Sequence, residues 1–336
     1  MKIALDLMGG DEGLKSNLKG ALMALDEFSD VEIALVGKEE EIKEALSEEN
    51  YDENRIEIIP ASEVITNNDN PAMAIRRKKD SSIVVGMKAL KEGEADAFVS
   101  SGSTGALLSG GIFIVKRIKG IERPAIGFIY PKFEGEGFLL DAGANAECKP
   151  KYFQQFGVMG SIYAETIMKK NSPKTGLINI GAEKEKGSDL YKEAHGLMES
   201  AESLDFIGNV EPRDIFRSEA DVLVCDGFTG NIILKSLEGI VDFLFSSIKT
   251  ALHSSVKSKI GGALIKDDLK RVGKDLSYND YGGAALLGLK KPVIKAHGSS
   301  DAVTIKNAIR QAREIVIAKV PEKIEEKMLL EEQNEK

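Results

Sequence analysis

The feature that most constrains the fold is a regular alternation of short apolar runs and helical stretches along nearly the whole chain. Residues 3–7, 31–36 and 97–100 have the length and composition of buried strands. Residues 82–92 and 152–169 have the pattern of the helices that separate such strands. Strands that alternate with helices usually lie parallel in one sheet. The sequence therefore predicts an α/β fold with a mostly parallel sheet flanked by helices.

The composition is that of an ordinary globular protein. The chain has 336 residues, of which 29% are charged and 42% hydrophobic, which allows a sizeable core and argues against wholesale disorder. Its net charge of −9 argues against nucleic acid as a partner. The two cysteines and three histidines lack metal-ligand and disulfide spacing. We therefore expect no metal site and a reducing, cytoplasmic setting.

The sequence shows neither a signal peptide nor a membrane-spanning run, which also favours a cytoplasmic setting. Asp6 interrupts the N-terminal apolar run too early for a signal peptide. The longest weakly polar run, residues 105–115, is well short of the roughly 18 residues that span a bilayer. The chain could still lie on a membrane surface.

Residues 237–265 differ from the rest because their apolar side chains recur every three or four positions, as on one face of a helix. The series is Leu237, Val241, Leu244, Ile248, Leu252, Val256 and Ile260. The pattern leaves two interpretations open. One is a helix buried in the core or in a dimer, and the other is an amphipathic helix that docks on a membrane or a lipid-carrying partner.

Several glycine-containing polar loops follow predicted strands. Ligands of open α/β sheets bind beyond the carboxyl ends of strands, so these loops are candidates for one shared cleft. Residues 100–106 combine glycines with hydroxyls before a helix, which suits either a phosphate cradle or a plain capped turn. The other loops are residues 141–145 with Lys149, 179–181, 226–231 with Lys235, and 296–301.

Familiar nucleotide and hydrolase motifs are missing. The chain has no G-x-x-x-x-G-K-[ST], no G-x-G-x-x-G and no G-x-S-x-G. The residues alone therefore indicate an α/β enzyme that binds a phosphate-like anion.

Taken together and in this order, the motifs resemble the PlsX family, the phosphate acyltransferases of bacterial phospholipid synthesis. The resemblance runs from Ile3 to about Ile309. It is carried by residues 6–11, 100–106, 141–145, 179–181, 206–211, 220–231 with Lys235 and Glu238, 281–284 and 296–301. The chain departs from the family at Ser103, where an asparagine is expected. A hydroxyl keeps a hydrogen-bond donor there but loses the amide.

The resemblance implies a reaction in which inorganic phosphate attacks the thioester of a long-chain acyl-[acyl carrier protein]. The products are acyl phosphate and free carrier protein, and no cofactor is needed. It also implies a homodimer, peripherally associated with the inner face of the cell membrane, that works beside a membrane glycerol-phosphate acyltransferase.

The family's fold is similar to that of the phosphate acetyltransferases and isocitrate dehydrogenases. It implies a first subdomain from residues 1–145 plus 298–330, a second from residues 146–297, a cleft between them and a tail at 331–336.

The resemblance also assigns candidate site residues. His297, Lys235 and Asn231 are the catalytic candidates, with His297 polarising the thioester or assisting the departing thiolate. The substrate-binding candidates are Ser101, Gly102, Ser103, Thr104, Gly105, Asn145, Lys149, Asn179, Asp226 and Ser299.

An acidic carrier protein, as in the family, would need a local basic patch on this acidic chain. Two patches are candidates, and either could be a merely solvated face. They are residues 76–79 and the set Lys249, Lys257, Lys259, Lys266, Lys270 and Arg271. Three other functions stay open: a short-chain enzyme that uses coenzyme A, a nicotinamide- and metal-dependent oxidoreductase, and a noncatalytic scaffold.

Overall fold

The computed structural model describes residues 1–275 and 282–334 of the chain. Its strands are β1 (Lys2–Asp6), β2 (Glu32–Gly37), β3 (Ile56–Pro60), β4 (Ala97–Ser100), β5 (Ala125–Pro131), β6 (Glu136–Leu140), β7 (Lys174–Ile178), β8 (Asp205–Val210), β9 (Val222–Val224), β10 (Ala284–Leu287) and β11 (Val293–Lys295). Its α-helices are α1 (Gly13–Glu27), α2 (Glu39–Ser47), α3 (Pro71–Arg77), α4 (Ser82–Glu92), α5 (Thr104–Gly110), α6 (Pro150–Thr166), α7 (Asp189–Ser200), α8 (Gly227–His253), α9 (Val256–Leu264), α10 (Lys266–Asp275), α11 (Ala302–Ala318) and α12 (Val320–Asn334).

All of these strands belong to one sheet with the order β3-β2-β1-β4-β11-β10-β5-β6-β9-β7-β8. The strands on each side of the centre pair in parallel. At the centre, β10 is antiparallel to β11 and β5, and β5 is antiparallel to β6. The two parallel sets therefore run in opposite directions. The predicted α/β fold with a mostly parallel, helix-flanked sheet is confirmed.

Side chains alternate between the two faces of the sheet, as the strand period requires. On β1, Ile3 and Leu5 join a core with α1, α2, α6, α7, α11 and α12. Ala4 faces the opposite core, which holds α3, α4, α5 and the first turns of α8. Close packing fixes these layers. A Cβ on Gly86 of α4, for example, would lie 2.3 Å from the Phe98 ring.

The predicted amphipathic segment is helical, but Ser254 and Ser255 divide it into two helices. The Ser255 side chain caps α9 by accepting from the Ser258 backbone N–H at 3.1 Å. We call residues 238–275 the helical arm. Its apolar side chains include Phe243, which is 69% exposed. Burial in the core of a single chain was therefore a wrong interpretation for this segment, while a dimer or a membrane contact remains open.

The sequence analysis did not predict strands β10 and β11, which have four and three residues. Residues 331–334, expected in a tail, continue helix α12. The division into two subdomains stays a prediction. In the described part of the chain, no helix combines the length and apolar character needed to cross a membrane.

Candidate functional site

A cavity of about 600 Å³ lies over the centre of the sheet, where the two opposed sets of strands meet. Ile126 and Phe128 of β5 and Ala284 of β10 form part of its lining. The loops that follow β1, β4, β6 and β11 and the start of α8 also reach it. Loops that are far apart in the sequence therefore share one space, as the strand-end rule predicts.

Glycines allow the loops after β1, β4 and β11 to pack directly on each other. A Cβ on Gly9 would lie 2.6 Å from the Gly102 nitrogen. Gly10 has a φ of +83°, and a Cβ there would lie 2.6 Å from the Ser101 Oγ. The Asp11 backbone N–H donates to the Gly298 carbonyl at 2.7 Å. These contacts bring the three loops together at one wall of the cavity.

A buried carboxyl group organises that wall. Asp6 is 1% exposed and accepts from the Ser100 hydroxyl at 2.7 Å and from the Met8 backbone N–H at 3.0 Å. Burial raises the pKa of Asp6, and the hydrogen bonds from Ser100 and Ser82 act in the opposite direction. Asp6 ties the end of β1 to the end of β4 and leaves the cavity surface to the loops beyond.

A cation that the sequence analysis missed lies near enough to this carboxyl group to feel its charge. Lys295, the last residue of β11, lines the cavity and donates its Nζ to the carbonyls of Ser101, at 3.1 Å, and Ala296. Burial lowers the pKa of Lys295 to about 8, although the Asp6 charge acts to raise it. The available signal was a lysine directly after the apolar pair Val293 and Ile294 and before a glycine loop.

The opposite wall is built on a second buried carboxyl group, Asp141. It accepts from the backbone N–H groups of Gly143 at 3.1 Å, Ala144 at 2.9 Å and Asn145 at 2.7 Å. Burial raises the pKa of Asp141, and the hydrogen bonds from Ala144 and its neighbours oppose that shift. The Asn145 amide donates to Asp141 at 2.9 Å and to the Pro124 carbonyl at 2.8 Å. Asn145 therefore orders this loop from within.

Helix α8 begins at the cavity. The Asp226 carboxylate caps it by accepting from the Thr229 backbone N–H at 2.8 Å, and it also accepts from the Tyr191 hydroxyl. A Cβ on Gly230 would lie 1.9 Å from the Asp141 carbonyl oxygen, so only glycine lets the helix approach the loop this closely. The positive end of the helix dipole therefore points toward the cavity region.

The structure brings six predicted site residues to the cavity lining: Ser101, Gly102, Thr104, Asn231, Lys235 and His297. Among the described residues, the buried Ser101 hydroxyl has no hydrogen-bond partner. Lys235 pairs with Glu238 at 2.8 Å, and Glu238 also lines the cavity.

His297 accepts from or donates to the Ser299 hydroxyl through Nδ1, at 2.9 Å. Burial and, to a smaller extent, the Lys235 charge lower the pKa of His297, so the neutral imidazole is favoured at pH 7.

The other seven predicted residues lie outside the lining: Ser103, Gly105, Asn145, Lys149, Asn179, Asp226 and Ser299. Gly105 packs on Pro71, where a Cβ would lie 2.6 Å from the proline ring. Asn179 donates to the Lys186 carbonyl at 3.1 Å and so holds its own loop. Ser103 and Lys149 immediately precede α5 and α6. Their binding roles stay predictions, and Tyr281, from the resembling segment 281–284, lies outside the described residues.

The cavity lining contains two chemically different sets of groups. Its polar part contains the Lys295 ammonium, hydroxyls and the start of α8, which together suit an anion. Its apolar part contains Ile126, Phe128, Phe228 and Leu234. Over residues 1–275 and 282–334, no three His, Cys, Asp or Glu side chains are grouped so that they could hold a metal ion.

Comparison with known proteins agrees with this chemistry. The model of a family described as fatty acid synthesis protein matches residues 1–323. A phosphate acyltransferase of Clostridium tetani is 51% identical over 311 residues, which cover 93% of each chain. A phosphate acyltransferase of Alkaliphilus oremlandii is 50% identical over 326 residues, which cover 97% of each chain.

Solved structures share the fold at low sequence identity. A phosphotransacetylase from Streptococcus pyogenes is 18% identical with a TM-score of 0.60, covering 96% of this chain and 94% of that one. A branched-chain phosphotransacylase from Enterococcus faecalis is 15% identical with a TM-score of 0.59, covering 94% of this chain and 99% of that one. The near full-length matches to curated relatives confirm the resemblance found in the motifs. The chain belongs to the PlsX family of phosphate acyltransferases.

Proposed function

We propose that this phosphate acyltransferase converts a long-chain acyl-[acyl carrier protein] and inorganic phosphate into acyl phosphate and free carrier protein. The observation that carries the proposal is one cavity whose lining combines the Lys295 ammonium and hydroxyl groups with apolar side chains. A phosphate and the acyl end of a thioester would meet there. In this proposal the enzyme supplies an early step of bacterial phospholipid synthesis.

The proposed reaction needs little from a strong base. The second ionisation of phosphate falls near neutral pH, so much of the nucleophile is already dianionic at pH 7. An oxygen of phosphate attacks the thioester carbon and forms a C–O bond. The tetrahedral intermediate then collapses, the C–S bond breaks, and the sulfur leaves with the electron pair as a thiolate. A thiol pKa of roughly 8.5 makes that departure feasible without a strong acid.

The barrier is therefore mainly one of positioning the phosphate and stabilising the oxyanion. In the proposed arrangement, residues 101–105 hold the phosphate, with Ser101 and Thr104 on the cavity surface. Asn231 and Lys235 lie on the wall that belongs to α8 and act as donors to the phosphate or the oxyanion. Neutral His297 donates a hydrogen bond, either to the thioester carbonyl, which it polarises, or to the departing thiolate, which it stabilises.

The helical arm supports a long-chain, carrier-bound substrate. Phe243, Leu244 and Ile248 expose apolar surface there, and lysines surround it. In the proposal, the lysines contact the acidic carrier protein. The apolar side chains contribute to a homodimer or to contact with the inner face of the membrane, beside a membrane glycerol-phosphate acyltransferase.

Thiol release tests the choice of acyl donor. Purified protein would be given palmitoyl-[acyl carrier protein], with and without inorganic phosphate, and palmitoyl-coenzyme A in parallel. Release that requires both phosphate and the carrier protein is expected. Release from palmitoyl-coenzyme A alone would show that the enzyme uses coenzyme A thioesters, like the short-chain phosphate acyltransferases. Binding of either donor without thiol release would indicate a noncatalytic scaffold.

A further inference from the structure

We infer that the ammonium group of Lys295 is a direct anchor for the phosphate nucleophile, with the Ser101 hydroxyl as its neighbour. This inference rests on the proposed function and adds a substrate-binding residue to it. Lys295 lines the cavity at the wall where the loops after β1, β4 and β11 meet. No motif or spacing in the sequence marked it as a site residue.

The first support is the incomplete hydrogen bonding of the ammonium. Two of its three N–H groups are donated to the carbonyls of Ser101 and Ala296. The third finds no acceptor within the described ranges 1–275 and 282–334. A partly buried cation with a spare donor is costly unless an anion or an oxygen ligand completes it. The cavity beside Lys295 is where that ligand would enter.

The second support is the Ser101 hydroxyl, which is buried without a partner among the described residues. The backbone carbonyl of Ser101 accepts a hydrogen bond from Lys295 Nζ. The Ser101 hydroxyl and the Lys295 ammonium therefore lie in the same part of the cavity wall. The ammonium and the hydroxyl are two donors that line the same cavity, and phosphate offers several oxygens that can accept from both. A neutral acyl chain would satisfy neither of them.

The charge around Lys295 is mixed. Asp6 at the end of β1 and Asp11 in the next loop act to raise its pKa, while burial and Lys235 of α8 lower it. His297, two residues along the chain, is favoured in its neutral form. With its pKa lowered to about 8, Lys295 is mostly protonated at pH 7 and mostly neutral by pH 9. Phosphate binding should therefore weaken across that interval.

The test measures the KM for phosphate and for the acyl donor in thiol release by the full chain. Lys295→Met should raise the phosphate KM by about 10- to 100-fold, as expected for loss of a charged hydrogen bond, while the acyl-donor KM stays near that of the wild type. Ser101→Ala should raise the phosphate KM by a smaller factor, about 3- to 10-fold.

Matched controls separate binding from packing. Lys132 is also a partly buried lysine that donates to a backbone carbonyl, that of Ala220 at 2.7 Å, and burial also lowers its pKa. Ser218 likewise has a buried hydroxyl without a hydrogen-bond partner among the described residues. Both lie outside the cavity lining. Lys132→Met and Ser218→Ala should leave the phosphate KM unchanged.

The pH profile provides a second readout, which a purely structural lysine would not give. From pH 7 to pH 9, the phosphate KM of the wild type should rise about tenfold as Lys295 loses its proton. Lys295→Arg should bind phosphate without that rise, because arginine stays charged. This comparison and Ser101→Ala keep the inference testable if Lys295→Met fails to fold.

A phosphate KM in folded Lys295→Met equal to the wild-type value would overturn the inference, as would equal increases in the KM values of both substrates. If the wild type releases no thiol from any donor, the proposed function fails instead. The inference is then tested by thermal unfolding with inorganic phosphate alone. Phosphate should raise the Tm of the wild type but not of Lys295→Met, and an equal rise in both would contradict it.

Discussion

Two cavities of similar size are built in opposite ways. The sheet cavity, about 600 Å³, has walls ordered by the buried carboxyl groups of Asp6 and Asp141 and by the partly buried Lys295, all held by hydrogen bonds. The groove of the helical arm, about 610 Å³, lies between α8, α9 and α10, with Phe245 and Leu252 inside and Lys249, Lys259 and Lys266 among its lining. Fixed groups suit a small ligand of defined geometry. Exposed apolar side chains and solvated lysines suit a large partner surface.

The largest expected difference between the two regions is in stability. Phe98→Ala removes a fully buried ring from the sheet and should lower the free energy of unfolding by about 3–5 kcal/mol. Phe243→Ala removes a ring that is 69% exposed in the arm and should change it by less than about 0.5 kcal/mol. Urea denaturation of both variants measures this contrast. Equal losses would show that the arm is covered in solution.

The second-largest expected difference between the two regions is in kcat. His297→Ala removes a group from the sheet cavity and should lower kcat for thiol release by about 100-fold, as expected for loss of a preorganised donor. His253→Ala removes an exposed histidine from the arm, where Nδ1 contacts the Lys249 carbonyl at 2.7 Å, and should leave kcat unchanged. Near-full turnover of His297→Ala at saturating substrate would remove His297 from the reaction.

We expect the helical arm to supply the electrostatic attraction for the acyl carrier protein. Reversing two arm charges, Lys259→Glu with Lys266→Glu, should weaken carrier-protein binding about tenfold at low salt and flatten its salt dependence. The same change at Arg76 and Arg77 should have little effect, because Arg76 already lies 5.4 Å from the centroid of the Phe113 ring. Binding titrations at several salt concentrations compare the variants, and the opposite ranking would place the contact at residues 76–79.

The smallest expected effect is the pH dependence of stability that follows from burying Lys295. Its folded pKa of about 8 lies below the unfolded value of 10.5, so the unfolded chain binds more protons between these values. Stability therefore rises with pH in that window, by about 1 kcal/mol from pH 8 to pH 9.

Other groups oppose this trend at higher pH, because burial raises the pKa of Cys148 to about 12. The difference between wild type and Lys295→Met isolates the lysine, measured by denaturation in phosphate-free buffer. Lys266→Met in the exposed arm should keep the wild-type slope. If the unfolding free energy of Lys295→Met depends on pH as steeply as that of the wild type, Lys295 does not have a lowered pKa in the folded protein.

The contrast also explains what the sequence could predict. Long periodic elements were predictable because burial on one face imposes a visible pattern, and α4 begins and ends at the residues expected. Strand β10 was not predicted, because its sequence Ala-Ala-Leu-Leu consists of residues that favour helices, whereas β4, of the same length, contains phenylalanine and valine. Loop motifs located Ser101, Asn231 and His297 at one cavity, because strand ends converge in a sheet of this kind.

Individual side chains were harder to assign, because their roles depend on contacts across the fold. Asn145 and Asp226 stand in motifs, yet their polar groups hold a loop and a helix end. Lys295 stands at a strand end, and only the three-dimensional packing of β1, β4 and β11 shows that it is partly buried near Asp6. The arm pattern predicted helices but contained no information on what covers them.

The central claim is that phosphate itself attacks the thioester. The most direct test uses radioactive inorganic phosphate and measures its incorporation into acyl phosphate during thiol release from palmitoyl-[acyl carrier protein]. The account predicts one labelled acyl phosphate for each thiol released. Thiol release accompanied by free fatty acid and no labelled acyl phosphate would contradict it, because water would then be the nucleophile.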